Sequence, residues 1–425
     1  TRWIAAGTYN KLYATTGGGT TYDITPGTLT AGTEDATVNT GYGGGFYGQG
    51  FYGQPTQATG QYSEATTWSM DNWGQYLVAC NPADGKLWEW QLGTGSDAAV
   101  IANAPTDCLG LVVTEDRFIF ALGADGDSRK IAWCDFEDNT LWAAASTNQA
   151  GDITLQTGGQ IMAGVRTAGQ TLILTDQDAH RSTYVGPPFI HQFERVSSAC
   201  GLIARKAVAD TPAGVFWMSS AGFFTYDGSS VREIQCDVHD KVFSDLNQAQ
   251  ISKCWAVSNG PNGEVWFYYP SANSLEIDRY VVFDYKEGHW SMGALARTAG
   301  FDRGVFKTPV WGAPDGSIYN HETGFNYDGG EVYAESGPFK IGAGENLAVV
   351  TSLIPDELNL GDVTTTFKTR LYPTSTETSH GPYTMTQPTS VRLQGRQVRM
   401  KVTGNTPSAW RVGKFRFEAK PGGKR

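Results

Sequence analysis

Apolar and polar positions alternate over short stretches of this chain, and glycine-containing turns separate them. Residues 110–142, "GLVVTEDRFIFALGADGDSRKIAWCDFEDNTLW", residues 167–186, "TAGQTLILTDQDAHRSTYVG", and residues 213–234, "AGVFWMSSAGFFTYDGSSVREI", each read as strand, turn, strand, turn, strand. A period of two places alternate side chains on opposite faces of a sheet, and no stretch sustains the 3.6-residue period of an amphipathic helix. The pattern predicts an all-β protein. One phrase recurs, as Asp84-Gly85-Lys86-Leu87-Trp88, Asn262-Gly263-Glu264-Val265-Trp266 and Asp315-Gly316-Ser317-Ile318-Tyr319. Asp-Gly and Asn-Gly supply the φ > 0 turn of a hairpin, and the residues after them alternate as a strand. The first two copies lie 178 residues apart. Four repeats in that interval would have about 45 residues each, the length of a four-stranded propeller blade. A second echo, Asp135-Phe136 with Trp142 and Asp284-Tyr285 with Trp290, supports the period.

These spacings predict a β-propeller of about seven blades over residues 1–325, with six or eight also compatible; the alternative is a run of unrelated meanders. Trp68, Trp73, Trp88, Trp90, Trp133, Trp217, Trp255, Trp266 and Trp290 are then mostly core between blades. The pattern changes in residues 326–425. Thr-rich alternation such as "DVTTTFKTRLYP" leads to "SVRLQGRQVRMKVTG", where Val398, Met400 and Val402 alternate with Arg399 and Lys401. This predicts a small C-terminal β-sandwich-like domain with a half-buried strand and a basic outer face. A Gly- and Tyr-rich insertion, residues 31–66, interrupts the propeller early. It contains "GYGGGFYGQGFYGQP", too glycine-rich for a stable helix or regular strand.

Composition agrees with many short strands: 40% apolar and 12% aromatic residues, 52 glycines and 18% charged residues. No run approaches the roughly 18 apolar residues of a membrane helix, so no membrane span is expected. No basic segment followed by an apolar one opens the sequence, although a chain starting at Thr1 is compatible with an upstream segment. Cys80, Cys108, Cys134, Cys200, Cys236 and Cys254 are far apart without C-x-x-C spacing, as expected of buried free thiols in a protein assembled in a reducing cytoplasm. The formal charge of −11 is uneven: residues 391–425 hold ten Lys or Arg against Glu418, a net of +9, which leaves −20 on residues 1–390.

The sequence assigns no catalytic, cofactor or metal residue. The six histidines form no His-x-x-x-His or His-x-x-Glu pattern. Asp125, Asp127, Asp176 and Asp178 have oxygen ligands for calcium, yet acids on turns are ordinarily solvated turn formers. No nucleophile elbow or phosphate loop is present, and Gly17-Gly18-Gly19 precedes a strand pattern rather than a helix. Paired carboxylates from different blades could still meet in a central channel, which keeps a propeller glycosidase open. Arg392, Arg396, Arg399, Lys401, Arg411, Lys414 and Arg416 are candidates for docking on an acidic neighbour or for facing DNA, with few aromatic residues among them for base stacking.

Four stretches carry a resemblance: residues 3–29, "WIAAGTYNKLYATTGGGTTYDITPGTL", the insertion, residues 67–90, "TWSMDNWGQYLVACNPADGKLWEW", and the ending from Gly395. The chain resembles a family of bacteriophage structural proteins, the tail hub or nozzle propellers and packaged-DNA stabilisation proteins of short-tailed phages. Members carry more sequence ahead of the first phrase, so the resemblance implies an incomplete first blade. It further implies a non-enzymatic virion protein beneath the portal and adaptor, repeated around the tail axis in probably six copies, forming a tube that retains and releases DNA. An acidic lining would let DNA slide where a basic one would bind each turn. Phe46, Tyr47, Phe51 and Tyr52 would then reach a neighbouring subunit or tail protein, against the alternative of an insertion with no partner. A receptor- or glycan-binding propeller at the tail tip remains the rival binding reading.

Overall fold

A computed structural model describes residues 2–4, 12–15, 21–41, 56–91, 95–304, 306–325, 330–341, 346–404, 407 and 409–423. The chain forms two compact units, residues 1–321 and 322–425. It is a β-propeller followed by a β-sandwich-like domain.

Among the described residues, seven antiparallel sheets of three or four strands follow one another in the first unit, each joined strand to next strand. Blade 1 has three described strands, Arg2–Ile4, Tyr13–Thr15 and Thr21–Asp23. Blades 2 to 6 have four each and begin at Ser69–Trp73, Gly110–Val113, Ile161–Thr167, Val208–Thr211 and Trp255–Asn259. Blade 7 has three described strands, Ala299–Phe301, Val310–Gly312 and Ile318–Asn320. From blade 2 to blade 7 the first strands of successive sheets touch, so they are the innermost and surround the axis. Between blades 1 and 2 the strands Thr37–Gly41 and Thr56–Ser63 pair as a two-stranded ribbon at the base of the insertion.

Turn chemistry is as the sequence predicts, with Gly85 at φ 68° and Gly263 at φ 82°. The repeat built on it is different. Gly85 turns between the second and third strands of blade 2, whereas Gly263 turns between the first and second strands of blade 6. The two copies are therefore not equivalent, because any tight hairpin suits the same dipeptide. The spacing of blades comes instead from the innermost strands, which advance 186 residues over four blades between Ser69 and Trp255. The Asp-aromatic echo also divides. Trp290 follows a four-residue turn within blade 6, while Trp142 lies in the long loop between Lys130–Trp133 and Gly151–Thr154.

The core clusters of the first unit each span adjoining blades. Trp68, Leu77, Trp88 and Trp90 pack with Leu12 and Ile24 between blades 1 and 2, and Trp255 and Tyr268 pack with Trp311 between blades 6 and 7. Of the nine tryptophans expected in the core, seven are buried and Trp266 and Trp290 are half-buried. Central strands such as Tyr76–Cys80, Ile119–Leu122 and Gly214–Met218 are buried over most of their length because neighbouring blades cover both faces. All six cysteines are free thiols, five of them buried and Cys236 half-buried. Among the described residues, helix is confined to His239–Asp245 and two short 3-10 turns, and no helix is long and apolar enough to cross a membrane.

In the second unit, Gln397–Gly404 pairs with Tyr333–Glu335, Phe339–Lys340 and Val363–Arg370, and Thr378–Thr384 completes that sheet. The facing sheet is Thr389–Gly395, Ala348–Ile354 and Arg416–Pro421. Strict alternation in Val363–Arg370 sends Val363, Thr365, Phe367 and Thr369 inward against Val350, Leu353, Val391 and Leu393.

Trp217 is fully buried and its indole N–H donates to the Cys200 carbonyl at 2.7 Å. Trp217→Ala is expected to lower the unfolding free energy by about 3–5 kcal/mol, measured by urea denaturation.

Candidate functional site

Propellers bind ligands where blade-entry loops meet over the axis, so the site is built from those loops. Two of them come from the ends of the insertion. Residues 33 and 66 hold each other, Thr66 N donating to Thr33 O and Thr33 N to Thr66 Oγ1, both at 2.9 Å. From there the chain reaches across the ring. The Gln250 amide makes both bonds to the backbone of Ala36, accepting from its N–H at 2.9 Å and donating to its carbonyl at 3.1 Å. Ala65 N donates to Ser252 Oγ at 3.1 Å. Lys253 Nζ donates to Asp35 at 2.7 Å, to Glu276 at 2.9 Å and to the Leu275 carbonyl at 2.9 Å. Burial opposes the charge of Lys253, but the Asp35 and Glu276 carboxylates outweigh it and raise its pKa above the ordinary value.

Gln250, Ser252 and Lys253 are presented by the 3-10 segment Gln248–Lys253, capped by the Asn247 side chain accepting from Ala249 N at 3.0 Å. This segment is the entry to blade 6, and the stems lead into blade 2. Blades 2 and 6 are not neighbours in the order of sheets, so the stems form a clip between the start of one and the entry of the other.

Beside the clip is a pocket of about 240 Å³ lined by Gly32, Thr33, Glu64, Thr66, Ala83 and Arg205. Arg205 Nη1 donates to the carbonyls of Ile161 at 3.1 Å and Met162 at 3.3 Å, and its Nε lies 3.8 Å from Glu64. Burial lowers the Arg205 pKa and Glu64 opposes that. Lys206 is enclosed by protein yet keeps part of its surface open, as a side chain in a narrow channel does; burial lowers its pKa, against Asp71. Deeper along the axis, Asp71 is 3.9 Å from Arg166, and burial raises the pKa of Asp210. The wall thus alternates in sign, with each charge facing a neutralising partner rather than one field aimed at a ligand.

Other titratable groups are held in packing roles. His191 sits edge-on to Phe118 and Phe120, each 4.8 Å away, and 5.3 Å from Trp133. Burial pushes its pKa down to about 4, so the imidazole is neutral at neutral pH. Burial raises Cys108, Cys134 and Cys254 to about 12, which leaves them as thiols rather than thiolate nucleophiles.

The acids considered for calcium are turn and strand fasteners. Asp125 pairs with Lys130 at 2.9 Å, Asp127 accepts from Arg129 N, Asp176 accepts from Gln160 N, and Asp178 accepts from the Thr157 and Thr175 hydroxyls. Among the described residues, no group of three His, Cys, Asp or Glu is placed to hold a metal ion.

Phe46, Tyr47, Phe51 and Tyr52 lie outside the described residues, as does Gly17-Gly18-Gly19. The described ends of the insertion are fastened to the clip, because Gln250 and Lys253 supply partners for backbone and carboxylate groups there. The basic candidates separate into two groups. Arg399 lies 3.5 Å from Glu335 and 3.6 Å from Glu377, Lys401 pairs with Glu331 at 2.5 Å, and Arg396 covers the Tyr372 ring at 4.8 Å. The basic outer face predicted for this strand is therefore largely neutralised within its own unit. Arg392, Arg411, Lys414 and Arg416 are exposed and have no ion pair among the described residues. Sequence reasoning missed the clip altogether: "QAQISK" carries no motif, and its meaning depends on a segment 214 residues away.

No family model and no curated protein matches the chain. Solved structures similar to it include virginiamycin B lyase from Staphylococcus aureus, at 8% identity over 63% of this chain and 90% of that one, with a TM-score of 0.39. A fungal alcohol oxidase of the AA5 family in complex with copper matches at 12% identity, 84% and 88% coverage and a TM-score of 0.38. The β-propeller domain of Cps50 from Myceliophteria thermophila matches at 9% identity, 61% and 96% coverage and a TM-score of 0.31.

Gln250→Ala leaves both backbone groups of Ala36 without their partner. It is expected to cost about 1–3 kcal/mol and to speed amide exchange at residues 33–36, read by hydrogen–deuterium exchange. For His191, the unfolded chain takes up a proton near the ordinary value of 6.5, and the folded chain only at about 4. Stability is therefore complete above the unfolded value and falls as pH drops through this window, by up to about 3 kcal/mol. His191→Leu should flatten that part of the pH profile in urea titrations.

Proposed function

We propose that this chain is a structural, non-enzymatic protein of a bacteriophage tail, a hub or nozzle subunit repeated around the tail axis. The observation that carries the reading is the clip. Gln250, Ser252 and Lys253, at the entry to blade 6, are committed to the stems that lead into blade 2, so these polar groups face the chain itself rather than a ligand. Of the charges near it, Arg205 is spent on the Ile161 and Met162 carbonyls and on Glu64, and Asp71 on Val113 N and Arg166. Polar groups committed to the chain's own backbone suit a building block better than a site for turnover.

In this reading the passage for DNA lies between copies, not through the propeller. The acidic first unit supports low-friction passage, because phosphates approaching it are repelled rather than held. The ring, its portal and adaptor neighbours, and transient non-specific contact with DNA follow from the family resemblance of the four stretches between Trp3 and Arg425.

The test is direct. Mass spectrometry of purified particles should detect this polypeptide in stoichiometric amounts, and electron cryomicroscopy should place repeated copies around the tail axis. Particles without the polypeptide would sink the proposal, as would polysaccharide turnover by the purified chain.

A further inference from the structure

A second polar pocket lies at the rim formed by the turns within blades 3 and 4, not by the entry loops. Strand register builds its floor. Thr171 pairs with Ser182, and Tyr184 with His191, so these four side chains share the face of blade 4 that looks toward blade 3. Tyr184 and His191 touch Phe118 there, at 5.6 and 4.8 Å. Ser182 and His191 are diagonal neighbours on that face and can both contact one small group between them. Ser182 is 2% and His191 8% exposed, and among the described residues Ser182 Oγ and His191 Nε2 have no hydrogen-bond partner. A buried polar atom left without a partner costs about 1–3 kcal/mol. Both residues line the pocket, together with Thr114, Thr171, Glu115 and Asp116.

Blade 3 supplies the charge. Its turn is fixed by Phe118 N donating to Thr114 Oγ1 at 3.0 Å, and Glu115 accepts from Gly169 N at 2.5 Å, which ties the turn to blade 4. Asp116 is half-buried and has no ion pair among the described residues. The four turns of this rim, residues 114–118, 134–150, 167–170 and 186–190, hold Glu115, Asp116, Asp135, Glu137 and Asp138 against Arg117, five acids and one cation, a net of −4. Arg117 is engaged elsewhere, 3.5 Å from Glu137 and 5.6 Å from the Trp73 ring, and the next cation, Arg166, lies 3.9 Å from Asp71. The pocket has about 10 Å³ for the centre of a water-sized group, enough for one such group. Phe136, Val185 and Phe189 are exposed at the same rim, Phe189 at 78%, and Phe136 packs on Phe118 beside His191.

We propose that this pocket is a docking site for a basic partner protein, seating the primary ammonium of one lysine between Ser182, His191 and Asp116 while apolar residues beside that lysine cover Phe136 and Phe189. An ammonium brings three donors to three acceptors: the Ser182 hydroxyl, Nε2 of the neutral His191 imidazole with its proton on Nδ1, and a carboxylate of the turn. Size and sign choose it. A water fills the same space but leaves the net charge of the rim unanswered, and a planar guanidinium is too wide for a space that holds one group. Copies of this chain carry −11 each and repel one another, so the partner is a different, basic polypeptide. The site does not depend on the tail assignment.

The experiment is imidazole nitrogen NMR of the full chain with isotope-labelled histidine, titrated with n-butylammonium chloride as the probe for a lysine side chain. The Nε2 signal of His191, assigned by its loss in His191→Phe, should shift saturably, and n-butylguanidinium chloride should leave it unmoved. Ser182→Ala and Asp116→Asn should each weaken butylammonium binding by about 10-fold, with far-ultraviolet circular dichroism unchanged. The peptide acetyl-Leu-Lys-Leu-amide tests the partner. It should bind about 10-fold more tightly than butylammonium, and Phe189→Ser should remove that gain without altering the response to butylammonium. A His191 signal that ignores butylammonium or answers butylguanidinium equally overturns the site, as do Ser182→Ala and Asp116→Asn chains that bind like the wild type. A peptide no tighter than butylammonium overturns the protein partner in favour of free amines, and an Nε2 shift that grows with chain concentration alone overturns it in favour of a second copy.

Discussion

Everything in the first unit depends on the burial of sheet faces against the next sheet. A four-stranded antiparallel sheet of short strands cannot cover both of its own faces, so each blade is stable only while its neighbours are present. The core clusters show this physically. Val78, Cys80 and Leu87 of blade 2 share one cluster with Leu111, Val113 and Ile119 of blade 3. Met162 and Leu172 of blade 4 share another with Phe216 and Trp217 of blade 5 and with Phe267 and Val281 of blade 6. Large aromatic residues suit these boundaries because each covers much area with few rotatable bonds.

Packing aromatic residues this densely creates a polar problem, since each indole N–H needs an acceptor. The loops solve it. Trp73 donates to the Arg117 carbonyl, Trp133 to Gln149, Trp217 to Cys200 and Trp255 to Arg297, all at 2.7 to 2.8 Å. Each bond fastens a loop to a blade. The clip extends the same logic across the ring, with Gln250 in place of an indole and the backbone of Ala36 in place of a loop carbonyl.

Charge is arranged with the same economy. On the outer face of the Gln397–Gly404 sheet, Lys368, Arg399 and Lys401 face Glu335, Glu377 and Glu331, and that face is close to neutral. The cations left open stand at the other end of the unit, beside exposed aliphatic residues. Electrostatics in this chain is thus local, set by which side chains the strand register places together rather than by the net charge of the tail segment.

The sequence by itself determined the features that short-range geometry controls. Period-two alternation and Asp-Gly or Asn-Gly turns specify strands and hairpins within a few residues, which made the propeller, the change of pattern before residue 330 and the tryptophan core legible. The same local character misled the repeat assignment, because Gly85 and Gly263 occupy the same kind of turn at different places in their blades. Tertiary structure alone decided that Gln250 meets Ala36 and Lys253 meets Asp35. It also decided that Lys401 is neutralised while Lys414 is not, and that Phe136 and Val185 share a rim. Those outcomes depend on side chains brought together by the closing of the disc and the stacking of two sheets, and no local preference of an amino acid encodes a partner 200 residues away.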